Sequence, residues 1–234
     1  MDIGIVCAMP LEAAGLTRRP TPPGQAVRIS EHCLLVCSGV GPQHAHRATL
    51  TLHQQGVGAV LSWGCAAGLQ PHASPGTLVL PSVVLTEDEQ RIVVDKRLHR
   101  TLLQRLAAPV QPNSDSLLSV ATPISTRAQK TALRQRYGAV ALDMESSAIG
   151  LAARHCQLPF AAVRAIVDPA EQTLPEMAIK GLRADGSFNL GKGLAALARR
   201  PLDIVGMVHL ADNAHKASKA LQLAASHLIA TPLT

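Results

Sequence analysis

Short apolar runs alternate with helix-like segments along the first 170 residues, and few architectures accommodate that rhythm. "IGIVCA" (3–8) is apolar throughout, as a strand buried on both faces must be. "AVRISEHCLLVCSG" (26–39) has the pattern of a hairpin turning at "SEH". Further strands are predicted at 57–64, 77–85, 116–121, 139–142 and 160–168. Between them, a helix is predicted from Pro42, a residue favoured in a first helical turn, to Gly56, and others over 96–107, 126–137 and 144–156. Buried strands joined by helical crossovers make an α/β protein, a three-layer α/β/α sandwich around a central mixed, largely parallel sheet.

From about residue 169 the pattern changes. Prolines and glycines break any period as far as 200, which marks a long loop or lid. After Pro201, Ile204, Val205, Val208 and Leu210 return to helical spacing, predicting a C-terminal helix over 201–230. No repeat or second domain is marked, so residues 1–234 are expected to form one domain.

A composition of 47% hydrophobic and 16% charged residues is globular, and no run approaches 18 apolar residues. "MDIGIVCAMPLE" lacks the basic region of a signal peptide, and five cysteines are an odd number, so free thiols in a reducing cytoplasm are expected. The net charge of +6 is spread along the chain, and the aromatics are only Trp63, Tyr137, Phe160 and Phe188, so nucleic acid is not an expected partner. "HAH" (44–46) puts its histidines two apart on a helix, pointing different ways, so no metal is expected. "SGVG" (38–41) is too short for a dinucleotide fingerprint.

Four polar features fall at predicted strand ends, where α/β folds carry their sites. They are Glu12, the small-residue turn "SWGCAAG" (62–68), the pair Asp143 and Glu145 in "ALDMESSAIG" (141–150), and Asp168, which ends "AAVRAIVD". Singly, each has a structural explanation. Glu12 suits a first helical turn, Asp143 an N-cap with Glu145 at N2, Asp168 the start of a turn, and the small residues close packing.

Together these segments resemble the nucleoside phosphorylase and nucleosidase superfamily, whose members cleave the N-glycosidic bond of nucleosides. "IGIVCAMPLEA" resembles its first strand and the Glu of adenosine-type nucleosidases; "SWGCAAGL" its glycine-rich turn, with Cys65 in place of a hydroxyl. "LDMESSAI" resembles its ribose-gripping Met-Glu motif, and "VRAIVD" the strand ending in the catalytic Asp. The resemblance implies Asp168 as the proton donor to purine N7 and Glu12 as the residue orienting a nucleophilic water. It also implies Glu145 and Met144 as the ribose clamp, with Gly64 and Cys65 beside it. Ile124, in "ATPIST" (121–126), is a candidate to contact the base. No cofactor is expected, and phosphate stays open as a co-substrate. Arg28, Arg47 and Arg91 are the candidates to hold it, although none sits in a phosphate motif.

The tail from Asp168 to Pro201 resembles the hopanoid-associated branch, thought to remove adenine from adenosylhopane, a lipid-linked nucleoside. That implies an apolar exit on the ribose 5′ side, for which Leu174, Met177, Ile179, Leu182, Phe188 and Leu190 are the candidates. It also implies a cytoplasmic protein touching the anionic inner membrane, and relatives of this fold imply a homo-oligomer. The alternatives are a soluble methylthioadenosine/adenosylhomocysteine-type nucleosidase or purine nucleoside phosphorylase, and a non-catalytic nucleoside-binding protein. The joint presence of Glu12, Glu145 and Asp168 argues against the last.

Overall fold

The computed structural model describes residues 2–175, 178 and 203–229. In chain order the elements are β1 (Ile3–Cys7), α1 (Pro10–Ala13), β2 (Ala26–Ser30), β3 (Cys33–Cys37), α2 (Pro42–Gln54), β4 (Ala59–Gly68), β5 (Leu78–Val79), β6 (Val83–Thr86), β7 (Arg91–Val93), α3 (Lys96–Val110), β8 (Leu117–Ser119), α4 (Arg127–Tyr137), β9 (Ala141–Asp143), α5 (Ser146–His155), β10 (Phe160–Asp168) and α6 (Asp203–Leu228). The strands form one mixed sheet in the order β2-β3-β1-β4-β9-β8-β6-β7, with β10 beside β4 and β5 beside β10. Parallel pairing joins β1 to β3 and β4, β4 to β10, and β8 to β6 and β9.

The continuous apolar runs have their cause in this layering. Along β10, Ala161, Val163 and Ala165 point into a core closed by Leu102 of α3 and Leu221 of α6. The alternate residues Phe160, Ala162 and Ile166 point to the other face, under Leu52 of α2 and Ile149 of α5. β1 and β4 split their side chains in the same way. A smaller cluster packs Leu133 and Tyr137 of α4 against Leu69, Leu85 and Leu118. This is the α/β/α sandwich that the alternation implied.

Three local expectations are corrected. The 62–68 segment is strand, not turn: β4 runs through to Gly68, and its small residues let it leave the β1 side and pair Ala67 with Leu142 of β9. The expected strand 77–85 is two strands, because Pro81 has no N–H to continue a ladder; β5 pairs with β10 and β6 with β8. Glu145 is the N-cap of α5 rather than its second residue, while the Asp143 carboxylate reaches forward to accept the Ser146 N–H at 3.1 Å. The C-terminal helix forms over Asp203–Leu228. Most of the expected 169–200 lid lies outside the described residues.

Candidate active site

The ends of β4, β9 and β10 and the residues after β1 surround one cavity of about 210 Å³. Glu12, Cys65, Ile124, Met144, Glu145 and Asp168 all line it, and Gly64 lies against Glu12. Its other walls are mainly aliphatic, including Met9, Val40 and Leu142, with no aromatic side chain among the described residues that line it.

Glu12 is held rigidly. α1 follows β1 after a two-residue link, and the Glu12 Oε2 accepts the N–H groups of Ala8 and Met9, both at 2.9 Å. Its Oε1 accepts the Cys65 N–H at 2.7 Å, which ties the first strand to β4. Gly64 makes this approach possible: a Cβ there would lie 2.9 Å or less from the carboxylate oxygens and carbon, against the carboxyl itself. Burial pushes the Glu12 pKa up, against the opposing pull of Arg164 and the three amide donors.

Glu145 projects from the start of α5. Its Oε1 accepts the Gly41 N–H at 2.8 Å, a contact that uses the positive φ of 102° at Gly41. Burial first, then the negative charge of Asp143, raise its pKa to about 7. Asp143 belongs to a different task. Arg164, on β10 and buried, donates to its Oδ2 from Nε at 2.7 Å and also reaches the hydroxyls of Ser62 and Ser146. Arg164 is thus the counter-charge beneath Glu12, Asp143 and Glu145. The sequence reading missed it. The signal available was an arginine inside an otherwise apolar central strand, a position where charge is expensive unless paired.

Asp168 terminates β10 just past a register shift against β4, between Ile166 and Asp168. A bulge of this kind redirects a side chain at the sheet's edge, and both Val167 and Asp168 line the cavity. Lys130 of α4 brings its Nζ within 2.6 Å of Asp168 Oδ2, with both side chains almost wholly buried. Lys130 is the partner of Oδ2, and Oδ1 has no hydrogen-bond donor among the described residues. Burial raises the Asp168 pKa to about 6, with Lys130 pulling the other way. Lys130, too, was missed from sequence, where it is one of many basic residues.

The three arginines considered for phosphate are elsewhere. Arg28 pairs with Asp2 at the surface, Arg47 is exposed and leans on its own helix, and Arg91 is exposed on β7. A larger hollow of about 560 Å³, near the start of β10, lies between Arg91 and Arg154; the acidic residue lining it, Asp95, caps α3. Of the candidates for an apolar exit, Leu174 lines the cavity beside Leu210 of α6. Met177, Ile179, Leu182, Phe188 and Leu190 lie outside the described residues.

A strand-end cavity built from converging carboxylates in an α/β/α sandwich defines a class, and comparison identifies it. Residues 2–186 match the model of the phosphorylase superfamily, and this chain belongs to that superfamily. The chain is similar in structure to a 5′-methylthioadenosine/S-adenosylhomocysteine nucleosidase of Helicobacter pylori, with 17% identity, a TM-score of 0.69 and coverage of 97% of this chain and 99% of that one. Futalosine hydrolase of the same organism gives 16% identity and a TM-score of 0.69 over 97% and 98% of the two chains. The nucleosidase of S. pneumoniae gives 18% and 0.68 over 97% and 99%. At these identities the likeness establishes the fold. The sequence matches none of the curated proteins with which it was compared.

Proposed function

We propose that this chain is a hydrolytic nucleosidase that releases the base from a purine nucleoside. One observation carries the reading: Glu12, Glu145 and Asp168, far apart in sequence, line a single small apolar cavity. Cleavage places positive charge on the ribose and negative charge on the departing base. Asp168, with a raised proton affinity, donates its proton to the base nitrogen as the glycosidic electron pair leaves with the base. Glu145 accepts hydrogen bonds from the vicinal ribose hydroxyls, and Met144 packs on the sugar. Glu12 orients a water on the opposite face, and takes its proton as the new C–O bond forms. The same carboxylate that suits water opposes phosphate. Glu12 already occupies the three backbone N–H groups nearest the nucleophile side, and the one arginine there among the described residues, Arg164, is engaged by Asp143. The names of the structural neighbours, nucleosidases and a hydrolase, point the same way.

Within that reading we assign adenosylhopane as the substrate and adenine as the base. The support is the resemblance of the tail, the apolar wall of Leu174 and Leu210, and the exposed Val205 and Val208 on the first turns of α6. No helix among the described residues is long and apolar enough to cross a membrane. The proposed meeting place is therefore the surface of the anionic inner leaflet, reached from the cytoplasm with the help of the +6 charge, by a single-domain protein acting as a homo-oligomer. The test is to incubate the protein with adenosylhopane in liposomes and with methylthioadenosine in buffer, each with and without phosphate, and to weigh both products. The expected outcome is adenine plus free ribosylhopane without phosphate, faster than from methylthioadenosine. A ribose-1-phosphate product overturns the hydrolytic reading. Much faster turnover of methylthioadenosine overturns the lipid substrate.

A further inference from the structure

We propose that Lys130 is a positioning residue for the acid: its ammonium holds Asp168 through Oδ2 and fixes the turn behind it, so that Oδ1 is left for the departing base. The proposal rests on Asp168 being the acid.

Lys130 sits on the first turns of α4 with its side chain only 1% exposed. A buried ammonium is costly unless every N–H finds an oxygen. Here each has one: Asp168 Oδ2 at 2.6 Å, the Pro169 carbonyl at 2.9 Å and the Gln172 carbonyl at 2.8 Å. All three oxygens belong to one short stretch beginning at the acid. The same stretch is tied down twice more. Gln172 accepts from Asn213 of α6 at 3.0 Å, and the Leu174 N–H donates to the Ser125 carbonyl at 2.8 Å. A lysine needed only to anchor the turn has no reason to contact the carboxylate as well.

The contact has two consequences. It immobilises one carboxylate oxygen of a residue that lines the cavity, while the other oxygen is buried with no protein partner among the described residues. It also places a cation where the carboxylate becomes negative once its proton has passed to the base. Burial lowers the Lys130 pKa while Asp168 raises it, and the proton that passes to the base is that of Asp168. The ammonium lowers the proton affinity of Asp168 against the effect of burial, so it also decides the pH at which the acid is loaded.

The experiment compares wild type with Lys130→Met and Lys130→Arg, reading kcat and KM across pH. In parallel, the Asp168 carboxyl is titrated by carbon-13 NMR in the substrate-free protein. Lys130→Met is expected to lower kcat at its pH optimum on the order of tenfold to a hundredfold, with KM changing less. The alkaline limb of kcat/KM should move up by about one pH unit or more, in step with the NMR titration. Lys130→Arg should keep the limb near its original position. If Lys130→Met does not fold, Lys130→Gln carries the same readouts. A folded neutral variant with kcat within twofold of wild type and an unmoved limb overturns the proposal. If the wild type releases no base from any purine nucleoside, the functional reading fails. The NMR titration still reports separately whether Lys130 governs the Asp168 proton.

Discussion

Two buried ion pairs stand at the ends of neighbouring segments of this sheet, and they are finished differently. In the Arg164–Asp143 pair the guanidinium is matched by a carboxylate and two serine hydroxyls, and the carboxylate also caps α5. In the Lys130–Asp168 pair the cation is matched by three oxygens, but the carboxylate has only that cation on Oδ2 and, among the described residues, no donor on Oδ1. The first is a closed network, and a closed network holds structure. The second leaves Asp168, a residue of the cavity wall with its pKa raised to about 6, with one buried oxygen that no donor meets among the described residues. Both pairs are equally buried, so burial alone does not mark the chemistry. The unmatched oxygen is what singles out Asp168 as the candidate.

The comparison breaks most sharply at Asp168. Asp168→Asn keeps the shape and removes the proton, so base release from the folded variant should fall by roughly two to four orders of magnitude, with some stability lost where Lys130 loses its counter-charge. Turnover near wild type in the folded variant would remove Asp168 from the mechanism.

Arg164→Met should show the opposite profile, with stability lost first. Stranding Asp143 without its partner should cost about 3–5 kcal/mol, read by urea denaturation. Adding Asp143→Asn, which keeps the cap and removes the stranded charge, should recover part of that loss. A single variant as stable as wild type would show that the pair is not the closed structural unit described above.

The smallest expected effect sharpens the electrostatic side. In the proposed roles Glu145 works ionised, with its pKa raised to about 7 by burial and Asp143. Asp168 works protonated, with its pKa raised to about 6. The two requirements are reversed in order. kcat/KM should therefore peak about midway and fall below about 6 and above about 7, with only a minority of the free enzyme correctly charged at any pH. Glu145→Gln should remove the acidic limb and weaken ribose recognition by about 1.5–3 kcal/mol. A 2′-deoxy nucleoside should then be penalised less than in wild type. An acidic limb that survives in the Gln variant belongs to another group.

Much of this molecule was legible along the chain because both strand faces are buried. Continuous apolar runs such as "FAAVRAIVD" need helices on both sides, and the sequence supplies them at the right intervals. The candidate carboxylates were legible because they interrupt such runs at their ends. What was misread is local and has local causes. β4 continues through "GCAAG" because neighbours on both edges offer it hydrogen bonds, a fact absent from its composition. The 77–85 run divides at Pro81 because only the assembled sheet offers its halves different partners.

Sequence by itself determined the layering and the order of elements, since periodicity and residue type are properties of a line, and it placed the candidates Glu12, Glu145 and Asp168 at strand ends. Tertiary structure alone decided which charges meet. Arg164 reaches Asp143 across the sheet, Lys130 reaches Asp168 from α4, and Glu12 reaches the Cys65 N–H only because Gly64 leaves room. The pKa of each carboxylate is likewise a consequence of packing. Desolvation and the distance to a counter-charge exist only once strands remote in sequence have been brought to one edge of the sheet.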